Sequence, residues 1–214
     1  ATPSEETTGT VGNDILTAGM GETLDGGEGD DTLTATEASD GAVLNGGDGA
    51  DNLTLDGVNG AAFGGEGSDT ILMSGTTGPA EVGNLIADGG AGDDIISATG
   101  FGGTVDGGGG DDEIRVQGTL DRVDGGDGND TIHGGALDSG GGTPLFGGAG
   151  NDALSTSDDA GFSYRSELDG GIGNDTLTAE LLSGAPSVLD AFTGGEGNDV
   201  FVAMVPFSST TPAT

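Results

Sequence analysis

Residues 107–133 read GGGGDDEIRVQGTLDRVDGGDGNDTIH. Two nonapeptides of the form Gly-Gly-x-Gly-x-Asp-x-apolar-x, starting at Gly107 and Gly125, frame nine residues that lack the aspartate pattern. Glycine with aspartate marks a tight turn. Each turn is followed by a short segment with an apolar residue, Ile114 or Ile132, two places after the aspartate. Strand side chains alternate, so in a short strand this residue points inward and its neighbours point out. The eighteen-residue unit then holds two short strands and two turns, which is one coil of a solenoid.

The same nonapeptide recurs ten times, from Gly9, Gly26, Gly46, Gly64, Gly89, Gly107, Gly125, Gly147, Gly170 and Gly194. Nine copies keep both opening glycines, and the first has Thr10 in the second place. Position eight is apolar throughout: Leu16, Leu33, Leu53, Ile71, Ile96, Ile114, Ile132, Leu154, Leu177 and Phe201. From the second copy on, a further apolar residue stands two places before the loop: Leu24, Leu44, Ala62, Ala87, Val105, Val123, Leu145, Leu168 and Phe192. Each coil offers only two or three apolar side chains, so no coil buries a core alone, but stacked coils share a thin continuous one. In the linking halves, Gly19, Gly57, Gly100 and Gly118 are expected to make tight turns with positive φ. Helix is disfavoured by glycine almost everywhere, with room for a single turn at Ala179–Leu182.

Stacked at the strand spacing, the sixth-position residues form a column: Asp14, Asp31, Asp51, Asp69, Asp94, Asp112, Asp130, Asp152, Asp175 and Asp199. Bare carboxylates ~4.8 Å apart repel by about 0.9 kcal/mol even in bulk water, roughly 8 kcal/mol over the column. That rivals the stability of a whole domain. Asp30, Asp93 and Asp111 at position five add to it. The stack therefore needs cations. Carboxylates and glycine-loop carbonyls make an all-oxygen site, suited to calcium, whose coordination is irregular, rather than to octahedral magnesium. With no cysteine and a single histidine, His133, zinc and copper are excluded.

The nonapeptide resembles the RTX (repeats-in-toxin) calcium-binding repeat of the hemolysin type, over about Gly9 to Val202. The resemblance implies an all-β fold: a right-handed parallel β-roll of about ten coils, with calcium between successive glycine–aspartate turns. One turn would give ligands from positions one, three and five, and its neighbour from two, four and six. Carried over, the side-chain ligands are the sixth-position aspartates with Asn13, Asp30, Asp93, Asp111, Asn129, Asn151, Asn174 and Asn198 at position five. The main-chain ligands are the carbonyls of Gly26, Gly27, Gly29, Gly46, Gly47, Gly49, Gly64, Gly65, Gly67, Gly89, Gly90, Gly92, Gly107, Gly108 and Gly110. In the later copies they are those of Gly125, Gly126, Gly128, Gly147, Gly148, Gly150, Gly170, Gly171, Gly173, Gly194, Gly195 and Gly197. Ala50 and Ser68 depart from the pattern at position five. Because the motif alternates with a non-binding half, a single calcium column is expected on one edge, with up to about nine ions.

The chain has 214 residues, 49 of them glycine, and a formal net charge of −35 from 38 acids against three arginines. Without cations such an acidic, aromatic-poor chain stays extended. It has no basic footprint for nucleic acid, and no apolar run long enough for a membrane helix. The segments read as a lead-in over 1–8, the roll over 9–202, and a capping tail or start of a further segment over 203–214. It opens without Met, as a piece of a longer protein or a processed product would.

The function expected is a secreted, extracellular or cell-surface calcium-binding module, not a catalyst. It would fold on meeting calcium outside the cell and serve a larger adhesin, surface layer or exoenzyme. Type I secretion is what the resemblance implies. The alternative is a ligand-binding solenoid that takes carbohydrate or ice through inserted loops or outward threonines. Those threonines are Thr32, Thr70, Thr131 and Thr176 at position seven and Thr34, Thr54 and Thr178 at position nine, interrupted by Glu113, Arg115 and His133. Arg115 and His133 should be neighbours, with Arg122 close enough for a small anion site. Phe162, Tyr164 and Arg165 are candidate anchors for a partner, and Phe201, Val205 and Phe207 candidate caps of the last coil.

Overall fold

In a computed structural model, residues 5–36, 40–75, 84–135, 142–157, 166–180 and 191–204 are described. Phe162, Tyr164, Arg165, Val205 and Phe207 lie outside these residues. The described chain forms a parallel β-roll of two ten-stranded sheets and has no helix. Odd-numbered strands, from Glu6–Thr8 to Ala191–Glu196, run into the glycine pair and form an entry sheet. Even-numbered strands, from Ile15–Ala18 to Val200–Met204, leave the sixth-position aspartate and form an exit sheet. Each strand pairs with its counterpart one coil away, so equivalent motif positions lie in register, as in Ile96↔Ile114↔Ile132. The strands on either side of each insertion keep this register.

The core is one file of side chains between the sheets. Position eight is fully buried from Leu33 to Leu177, as is the residue two before each loop from Leu24 to Leu168. At the ends the file opens: Leu16 and Phe192 are half-buried, while Phe201 is exposed and tilts against Phe192 at 5.9 Å between ring centroids.

Four features differ from expectation. A second residue of each exit strand also points inward, at the tenth place: Ala35, Leu55, Met73, Ala98, Val116 and Ala179 are all buried. Strict alternation over four- to seven-residue strands brings it there. Ala179 and Glu180 belong to the strand Thr176–Glu180, not to a helical turn, because Ala179 pairs with Thr156 and Ala203. In the linking half, Gly118 has positive φ (125°), but Gly19 and Gly100 do not. The left-handed turn there falls instead on Gly21, Gly41, Asn59 and Gly102, at φ 58–74°. The entry sheet also begins earlier than Gly9: Glu6–Thr8 pairs with Thr23–Asp25.

Candidate metal centre

Glycine shapes the turn edge by removing Cβ atoms from a close stack. The second and fourth glycines of the loop adopt positive φ, as at Gly47 (114°) and Gly49 (140°). A Cβ on either would collide with the carbonyl oxygen of the matching glycine one coil back, Gly27 or Gly29. The first glycine is different. A Cβ on Gly46 would strike Oδ2 of Asp51, in its own loop, and the carbonyl oxygen of Gly64, in the next. The space beside the first glycine is thus walled by a carboxylate oxygen and a neighbouring carbonyl.

The sixth-position aspartates turn inward behind this space. Asp31, Asp51, Asp69, Asp94, Asp112, Asp130, Asp152 and Asp175 are only 0–2% exposed. Each Oδ1 accepts the backbone N–H of the preceding coil's aspartate, at 2.7 Å for Asp14 N–H to Asp31 and 2.9 Å for Asp112 N–H to Asp130. Nine such bonds join Asp14 to Asp199 without a break. Each Oδ2 from Asp31 to Asp175 is buried with no hydrogen-bond partner, eight orphaned oxygens in a file. A buried carboxylate oxygen left without a partner is costly.

The proton affinities carry the same message. Burial, supplemented by repulsion from neighbouring aspartates, pushes Asp51, Asp94, Asp112, Asp130 and Asp152 up to about 6 against the backbone N–H each accepts. Asp69 and Asp175 are raised too, chiefly by burial. The column is thus short of positive charge. No three acidic or histidine side chains converge among the described residues. An ion here would draw on one carboxylate per coil and on main-chain carbonyls, an all-oxygen set that fits calcium.

The fifth-position side chains lie on the outside and form a second ladder of opposite sense. Oδ1 of Asp93 accepts the N–H of Asp111, and Oδ1 of Asp111 accepts both the N–H and the Nδ2 of Asn129. Asn129, Asn151, Asn174 and Asn198 continue it with paired main-chain and side-chain bonds of 2.9–3.1 Å. Asn13 and Asp30 start a shorter stretch that ends at Ala50. The Oδ1 of each rung before Asn198 is engaged in this way. The bonds from Asn129 hold the exposed Asp111 carboxyl below its ordinary value.

The first copy shows what its altered residue does. Thr10 donates its N–H (2.6 Å) and hydroxyl (2.9 Å) to Oδ2 of Asp14. The oxygen that is orphaned in the eight interior coils is satisfied here by the residue that breaks the motif. The departure at Thr10 was visible in the sequence, but the bond is legible only once position two is seen beside position six.

Arg115, His133 and Arg122 do not form an anion site. Arg115 and His133 are cross-strand neighbours on the exit sheet, but Arg115 pairs with Glu113 at 3.5 Å, and His133 Nδ1 lies 2.8 Å from Ser155 Oγ. Arg122 stands on the entry sheet, paired with Asp124 and stacked 4.0 Å over the Phe146 ring.

Fold and turn chemistry define a parallel β-roll with an oxygen-lined edge. The family model of the RTX calcium-binding nonapeptide repeat matches four copies, at residues 8–33, 106–138 and 160–181, about two fifths of the chain. These stretches carry the RTX calcium-binding nonapeptide repeat, in a chain folded as a parallel β-roll. No curated protein matches it.

Proposed function

We propose that the chain is a calcium-triggered folding module, whose sixth-position aspartates hold calcium through Oδ2 together with the main-chain carbonyls of adjacent glycine turns. The observation that carries this is the file of eight buried, partnerless Oδ2 atoms from Asp31 to Asp175. Bound calcium supplies the positive charge that these oxygens lack. The chain's own part is to place one carboxylate per coil, hold its Oδ1 with a backbone N–H, and keep side chains out of the space beside the first glycine. The fifth-position ladder keeps adjacent turns in register from outside. Eight ions, one per orphaned oxygen, is the expected load, within the nine gaps of the stack.

The mechanism is linkage. Calcium binds the stacked turns and not the extended chain, so it stabilises the fold by mass action. In a cytosol poor in calcium, the −35 charge keeps the chain open. Outside the cell, at the calcium levels extracellular modules respond to, it closes into a rod about 45 Å long. The role is then structural: a secreted, cell-surface or spacer element that becomes rigid only after export. Catalysis would fall to other polypeptide. Equilibrium dialysis of the metal-stripped chain against calcium tests this, with about eight ions bound cooperatively as the expected result. One or two ions bound without cooperativity would refute it.

A further inference from the structure

Charge is distributed unevenly over the two outer faces. The entry sheet points Asp88, Asp106 and Asp124 outward in register, and burial, then repulsion from Asp124 and Asp88, pushes Asp106 up. The exit sheet points positions seven and nine outward, twenty residues over ten strands. Only Glu113 and Arg115 among them carry a full charge, and they pair with each other. From Ile15 to Ser97 positions seven and nine carry no ionised side chain in a chain with 38 acids; at the eleventh place, also outward, Asp56 accepts a hydrogen bond from the Ser74 hydroxyl. It also bears four of the larger exposed apolar residues: Ile15 (83%), Leu72 (48%), Ile95 (52%) and Val200 (52%).

We propose that this face is a self-association surface, on which a second copy of the chain packs face to face across a two-fold axis. Electrostatics favour this occupant. The acidic turn edge and the Asp88–Asp106–Asp124 row of the entry sheet meet their own copies with like charge, whereas this face sets mostly uncharged threonine and aliphatic side chains against themselves. The size also fits. Ten strands at ~4.8 Å, each showing ~15 Å of length, give about 700 Å² per copy, close to the ~800 Å² per partner of a standard interface. Packing sheet on sheet is the ordinary way for two such faces to exclude water. Calcium assists from a distance, because neutralising the turn edge reduces the repulsion between copies.

Sedimentation equilibrium of the full chain in calcium, up to millimolar protein, reads the mass directly. Twice 20.4 kDa is expected at the upper concentrations. Leu72→Asp and, separately, Thr178→Asp should shift the population to monomer by tenfold or more in dissociation constant. Thr104→Asp, on the entry face, should leave it dimeric. Circular dichroism on the same samples establishes that each variant is folded, so loss of the fold is not mistaken for loss of the contact. A monomer at every concentration would overturn the proposal, whether or not the face then shapes ice or holds a glycan. So would a dimer indifferent to both face substitutions.

Discussion

Asp111 and Asp112 are neighbours in sequence and opposites in environment. Asp111 is exposed, and Asn129 donates two hydrogen bonds to its Oδ1, which lowers its pKa. Asp112 is buried and receives one backbone N–H at Oδ1, leaving Oδ2 bare, and burial lifts it to about 6. The fifth-position ladder is complete without a metal, whereas the sixth-position column is not. Two residues of one type, one place apart, thus divide the work between holding register and demanding a cation.

Substitutions can break this contrast at either column. The largest effect is expected at the sixth position. Asp112→Ala removes both the acceptor for Asp94 N–H and a ligand, and should cost about 3–5 kcal/mol in calcium, read as a lower denaturation midpoint. Asp112→Asn keeps an oxygen for that N–H but replaces the orphaned one. It should destabilise the roll in calcium by about 2 kcal/mol and yet be neutral or stabilising in chelator, where it removes a buried charge. The same sign in both conditions would contradict a metal role for Oδ2.

Protons should partly replace calcium. Five aspartates rise from 3.8 to about 6 in the metal-free fold, so the folded chain binds more protons than the unfolded one near pH 5. Stability of the metal-free roll is therefore lost as pH rises through about 6, and regained in full below 3.8. Circular dichroism in chelator should show β-structure appearing as pH falls from 7 to about 4.5. The smallest effect lies in the outer ladder. Asn151→Ala should cost about 1 kcal/mol through the lost side-chain amide bonds to Asn129 and Asn174, with the number of bound ions unchanged.

Much of this organisation was readable from the repeat. The spacing of glycine, aspartate and position eight placed ten coils in register, put Leu33 and Ile114 in the core and set the aspartates in one column. The inward tenth place escaped because it lies one residue beyond the nonapeptide, where Ala35, Met73 and Val116 share size and chemistry poorly. At position five, Asp and Asn serve equally as ligands and as ladder rungs, so the repeat alone does not show the ladder. Only register and burial separate the two roles, and both arise between coils. The linking turn does not fall at Gly19 or Gly100: it lies five residues before the next nonapeptide, at Gly21, Gly41, Asn59 and Gly102, so it is set by the loop that follows and not by the third place of the linking half.

The most direct test of the account is far-UV circular dichroism of the metal-stripped chain at neutral pH during a calcium titration, with magnesium in parallel. The account predicts an extended chain that converts cooperatively to β-structure in calcium and not in magnesium. A chain already folded in chelator at neutral pH would contradict it, because the eight buried oxygens would then be tolerated without a cation.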